Sequence, residues 1–157
     1  MENLSQDVTA TADHRQGARA FLDGIERSLL ANDFDGYADL FHLPAMLATR
    51  KDRFILTERQ DLRSGFDLWH RTIQSYKITA IVQSLSTVEA FGPDAAMVTY
   101  QTELLSETKL VMPGFTNWVF LRRHGDEWKL EQMVSGVINT KDSHFLSVDP
   151  TNANPEI

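Results

Sequence analysis

Apolar residues in this chain recur first at helical and then at strand spacing. Ala18, Phe21, Leu22, Ile25 and Leu29 fall three and four apart, which predicts a helix over residues 13–31 with one buried face. Asn32 and Asp33 interrupt it, and Asp33 is a natural N-cap for a second, shorter helix over 34–41. Pro44 is expected to end that helix, because the residue before a proline is pushed out of the α region. AMLAT and RFILT then read as two short strands around the polar turn RKD. Thr57 and Gln60 have the spacing of a capping box, so a third helix is expected to start there and reach about Ser75. Leu62, Phe66, Trp69 and Ile73 draw its apolar stripe.

After Tyr76 the period changes to two. Ile78, Ala80 and Val82 alternate with Lys77, Thr79 and Ile81 in a strand that runs to about Ala90. FGPD is a turn, residues 95–105 are a second long strand, and SETKLVMPGF is a longer loop. Residues 116–123 and 127–137 form a hairpin around Gly125 and Asp126. Three helices cannot cover both faces of such a sheet, so they are expected to pack on one face, an α+β arrangement. The polar, unpatterned ends predict a flexible arm over 1–13 and a polar tail over 139–157, flanking one domain over 14–138.

A two-residue hairpin loop sets His124 opposite Glu127. Counting back pairs Leu121 with Leu130, Val119 with Gln132 and Asn117 with Val134. The mostly apolar face then carries Asn117 and Gln132 as its polar members far from the turn, diagonal to each other and close enough to converge on one ligand. Equally, they could bond each other or nearby backbone. Trp118, Phe120 and Met133 fall on the opposite face.

Composition narrows the function. At 157 residues the chain fits one domain, with 42% hydrophobic and 24% charged residues. A net charge of −7 argues against nucleic acid or an anionic membrane as partner. No cysteine is present, which excludes disulfides, thiolate metal sites and a cysteine nucleophile, and fits a cytoplasmic address. No apolar run approaches the ~20 residues of a membrane span, and no secretory leader is expected from the polar start.

The run SLLANDFDGYADLF, the short strand pair after it and the ending VFLRRHGDEWKLEQM together resemble the nuclear transport factor 2-like (NTF2-like) superfamily and its SnoaL-like branch. The likeness covers about residues 15–138. It implies a cone, in which a strongly curved, mainly antiparallel sheet (a cystatin-like fold) wraps around three N-terminal helices and leaves a pocket at the open end. It also implies homodimers through the outer sheet face, where Trp118, Phe120 and Met133 would make the contact. It implies no single activity, because relatives include isomerases, dehydratases, cyclases, hydrolases and proteins that only bind.

The candidate pocket residues are the aromatics on buried faces, Tyr37, Phe66, Trp69 and Tyr100, together with Asn117 and Gln132. The tyrosines stand out because a buried hydroxyl needs a partner. All of these aromatics are equally readable as core. None of the five histidines stands in a metal-ligand spacing, so no metal or cofactor is expected. His42, at the junction of the second helix and first strand, is the best catalytic candidate; its other reading is a cap on helical carbonyls. Isomerase relatives carry an acid in the following strand, where this chain has Ala45, Met46, Leu47, Ala48 and Thr49. The expected function is therefore binding of a small, partly apolar molecule. The alternative is a cofactor-independent lyase or isomerase, dehydratase-like, using His42 and pocket tyrosines.

Overall fold

The structure, a computed structural model, describes residues 10–136. Helix α1 (Ala12–Leu30) begins with a reciprocal cap. Thr11 Oγ1 accepts from the His14 amide, and His14 Nδ1 accepts from the Thr11 amide. His14 is buried, its Nε2 lies 2.9 Å from the Gly92 carbonyl, and its ring packs on Trp128. With Nδ1 accepting, Nε2 carries the proton and donates to Gly92. The helix ends in a Schellman motif, with Asn32 left-handed at φ 56° and the Asp33 amide bonded to the Ser28 carbonyl. Asp33 then caps α2 (Phe34–Ala38) through Oδ1 on the Gly36 amide, as its position predicts.

Here the chain departs from the sequence expectation. Helix α2 stops at Ala38, and β1 (Phe41–Ala48) already contains Pro44. The proline does not end the helix. It sits between the pairs Phe41–Leu130 and Met46–Gln132, where the ladder to β7 (Glu127–Ser135) is interrupted and no amide is needed from it. Strand β2 (Arg53–Leu56) returns antiparallel to β1. Helix α3 (Asp61–Ser75) starts later than a Thr57 cap requires. Asp61 supplies the acceptor instead: its Oδ2 takes the amides of Thr57 and Glu58 and the Thr57 hydroxyl.

Helix α3 ends in a second Schellman motif, with Lys77 left-handed and the Ile78 amide on the Ile73 carbonyl. Ile78 is thus the hydrophobic residue of a helix cap. Its burial says nothing about strand parity. In β3 (Ala80–Ala90) it is Ile81 that is buried and Val82 that is exposed, the reverse of the alternation counted from Ile78.

Strands β4 (Ala95–Ser106), β5 (Lys109–Leu110) and β6 (Phe115–His124) complete the sheet. The order is β2-β1-β7-β6-β4-β3, with β5 on β4, and β1–β7 is its one parallel pairing among the described residues. Ladder shifts in β1, β3 and β7 bend the sheet around the helices, because a bulge adds twist and curvature locally. The hairpin turn is as counted: Gly125 takes φ 65°, which a type II′ turn asks of its first loop position. His124 pairs with Glu127 and Leu121 with Leu130.

The register then slips. Glu131 is an extra residue on β7, so Phe120 pairs with Gln132, Val119 with Met133 and Asn117 with Ser135. Every later side chain of β7 therefore changes face. Gln132 is exposed on the outer face rather than beside Asn117, and Met133 turns inward rather than standing with Trp118.

Trp128 holds the hairpin tip to α1. Its indole is flanked by His14 and by the Arg123 guanidinium, which itself pairs with Asp13 and Asp94. Gly17 lies on the indole face, and a Cβ there would overlap Trp128 Cδ1 and Nε1. Gly17→Ala is expected to destabilise the protein by about 1–3 kcal/mol, because overpacking outweighs the ~1 kcal/mol helix-propensity gain. Urea unfolding followed by fluorescence would register it; an increase in stability would mean the indole can move aside.

Candidate functional site

The curved sheet and the helices enclose a small apolar cavity of about 40 Å³. Helix α1 contributes Phe21, Ile25 and Leu29, and α3 contributes Trp69; Tyr37 and Met133 close other sides. Four polar side chains from three adjacent strands reach it: Gln83 on β3, Tyr100 and Thr102 on β4, and Asn117 on β6. Their convergence follows from register, since Tyr100 pairs with Asn117 and Thr102 with Gln83. A broader groove of about 530 Å³ lies outside, between α1 and the hairpin tip. It is open to solvent and edged by Asp13, Asp39, Asp126 and Glu127. The enclosed cavity is the better site, because an apolar wall with a few convergent polar groups is what orients a small ligand.

Asn117 is buried and fully engaged. Its Nδ2 donates to Thr102 Oγ1 at 3.3 Å, and its Oδ1 accepts from Ser135 Oγ at 2.5 Å. Gln83 differs. Its Oε1 is shut off from solvent and has no hydrogen-bond partner. A buried acceptor without a donor costs about 1–3 kcal/mol, so such atoms are rare outside functional sites. Burial raises the pKa of both Tyr37 and Tyr100 far above an ordinary tyrosine, and the Asn117 side chain offsets part of this at Tyr100. Both hydroxyls therefore stay protonated, serving as hydrogen-bond donors and not as bases.

Of the residues expected at the pocket, Tyr37, Trp69, Tyr100 and Asn117 line the cavity. Phe66 does not; it is buried behind Tyr37, with the rings 5.2 Å apart. Gln132 is excluded by the register slip. His42 is also elsewhere. It neither caps α2 nor faces the tyrosines: its neighbour Phe41 points into the core, so His42 projects from the outer sheet face. There its ring stacks on His124 at 3.9 Å. Gln83 was missed, although it lies two residues beyond Ile81 on the same face of one strand. The parity error at Ile78 hid that signal.

The fold and cavity define a class, cone-shaped α+β proteins with a closed apolar interior. The chain belongs to a family of that class, the NTF2-like proteins (DUF6841), whose model matches residues 15–136. Solved structures share the fold at low identity. One is an NTF2-like protein of unknown function from Shewanella oneidensis, with 15% identity, 78% of this chain and 98% of that chain covered, and a TM-score of 0.57. Another is a domain of unknown function with a cystatin-like fold from Nostoc punctiforme, with 14% identity, coverage of 85% and 82%, and a TM-score of 0.64. A third is an NTF2-like protein from Novosphingobium aromaticivorans, with 12% identity, coverage of 82% and 84%, and a TM-score of 0.62. No curated protein matches the chain in sequence.

Asn117→Ala is expected to cost about 2 kcal/mol, because it removes the buried hydrogen bonds that Asn117 makes with Thr102 and Ser135. Thermal or urea unfolding measures it; a change below ~0.5 kcal/mol would mean water replaces the amide.

Proposed function

We propose that this protein binds a small, partly apolar molecule in the cone, with the Gln83 side chain as the polar anchor. The unpaired Gln83 Oε1 carries the reading: it is an acceptor held in an apolar cavity without a donor. A ligand hydroxyl or amine donating to it would recover the hydrogen bond, while a ring or short alkyl group contacts Phe21, Trp69 and Leu130. The free volume of about 40 Å³ admits only a few atoms, so a larger ligand requires the wall to yield. Met133 is the side chain suited to that, being unbranched, partly exposed and set across the cavity by the bulge.

A binding role is favoured over a dehydratase-like one by the lining itself. Among the described residues no acid or histidine lines the cavity, and neutral tyrosines can polarise a carbonyl but cannot take its α-proton. The run LLANDFDGYADLF supports placing the chain near the SnoaL-like branch, and the lack of cysteine favours a cytoplasmic setting. No helix among the described residues is long and apolar enough to cross a membrane. A homodimer through the outer sheet face is supported by Trp118, Phe120, Phe91 and Val134, which leave apolar surface exposed there.

Gln83→Leu is the decisive variant. It removes an unsatisfied acceptor, so the ligand-free protein is expected to be as stable as the parent or more stable. In a thermal-shift screen of small alcohols, phenols and amines, a compound at 100 times its Kd should stabilise the parent by about 2.7 kcal/mol, and much less the variant. A screen with no stabilising compound, or hits unaffected by Gln83→Leu, would sink the reading. For the dimer, Trp118→Glu is expected to halve the mass seen by light scattering; a parent that is already monomeric at micromolar concentration removes that interface.

A further inference from the structure

The outer sheet face carries a second cluster that the cavity does not use. His42 on β1, His124 at the end of β6 and Glu131 on β7 bring one ligand atom each to within 4.8 Å of one another. His42 Nδ1 lies 3.7 Å and His124 Nε2 3.6 Å from the same oxygen, Glu131 Oε2. Both distances are close to the edge of a tetrahedron around zinc, about 3.4 Å for ligands at ~2.1 Å. They are longer than a hydrogen bond, and His124 Nε2 is shut off from solvent without any hydrogen-bond partner. His124 Nε2 is thus a buried ring nitrogen beside a carboxylate with which it makes no hydrogen bond.

We propose that His42, His124 and Glu131 form a binding site for a borderline divalent cation such as zinc. Two imidazoles and one carboxylate suit that class, and three protein ligands leave a coordination position for water. Topology builds the site: alternation from the buried Leu130 turns Glu131 outward, the β1–β7 pairing sets His42 beside it, and the β6–β7 hairpin brings His124 to the same face.

Two features set the cost. The imidazoles are stacked within 14° of parallel, and a metal lies in the plane of each ring it binds. One ring must therefore turn out of the stack; His42, with a side chain 45% exposed, is the free one. Arg122 Nε also contacts Glu131, at 3.2 Å from Oε1 and 3.1 Å from Oε2. With a cation on Oε2, the guanidinium retains Oε1 and orients the carboxylate, but its charge opposes the metal. Lys129, which pairs with Glu127 3.7 Å away, adds a second positive charge on this face. Affinity is consequently moderate, and Arg122→Gln is expected to strengthen binding.

The test is titration of the untagged full chain with Co²⁺ and Zn²⁺, read by the visible Co²⁺ spectrum and by calorimetry. His144→Ala is included to remove a tail histidine as donor. The proposal expects one equivalent per chain, with the low-symmetry Co²⁺ bands of three or more protein ligands. His42→Asn and Glu131→Gln should each weaken binding by roughly 100-fold, and His144→Ala should leave it unchanged. Because the His42 side chain is half-exposed, His42→Asn should fold normally, and circular dichroism checks that. Absence of saturable binding would overturn the site. So would binding that survives His42→Asn and Glu131→Gln, or that is lost in His144→Ala.

Discussion

One extra residue in one strand governs both faces of this sheet. At Glu131 the β6–β7 ladder slips by one position, and a slip of one residue exchanges inside and outside for everything beyond it. On the inner side, Met133 becomes a wall of the cavity and Ser135 becomes the donor that holds Asn117. On the outer side, Gln132 and Val134 join Phe120 and Trp118. Without the slip, Gln132 would enter the cone and Met133 would leave it. The pocket's chemistry and the composition of the outer apolar patch thus share one structural cause.

Inside the cone, two amides on the strands either side of β4 meet opposite fates. Asn117 donates to one hydroxyl and accepts from another, so its burial is compensated and it fastens β6 to β4 and β7. Gln83 reaches the same cavity with an acceptor that nothing answers. The same low dielectric that makes the first pair worth keeping makes the second atom costly. That unanswered acceptor, beside aromatic rings and protonated tyrosines, is the feature on which the proposed binding role rests.

The outer cluster depends on topology in a different way. His42 and Glu131 are far apart in sequence and are neighbours because β1 runs parallel to β7, the kind of pairing no short-range pattern announces. His124 joins them through the hairpin. None of the spacings that normally betray a metal site could have revealed this trio.

What the chain determined by itself was local and periodic. The apolar stripes of α1 and α3, the cap at Asp33, the Gly125 turn and the first hairpin pairs follow from side-chain spacing and from which residues accept a turn conformation. Tyr37, Trp69, Tyr100 and Asn117 were legible as inward residues for the same reason. The departures occur where a pairing across the sheet or a helix cap overrides the simple periodic rule. Pro44 is admitted into a strand at a gap in the β1–β7 ladder, and Ile78 is buried as part of a helix cap. The bulge at Glu131 is of this kind. Its sequence alternates as well in one register as in the other, and only packing against β1 and the helices selects the one that sends Met133 inward and Gln132 out.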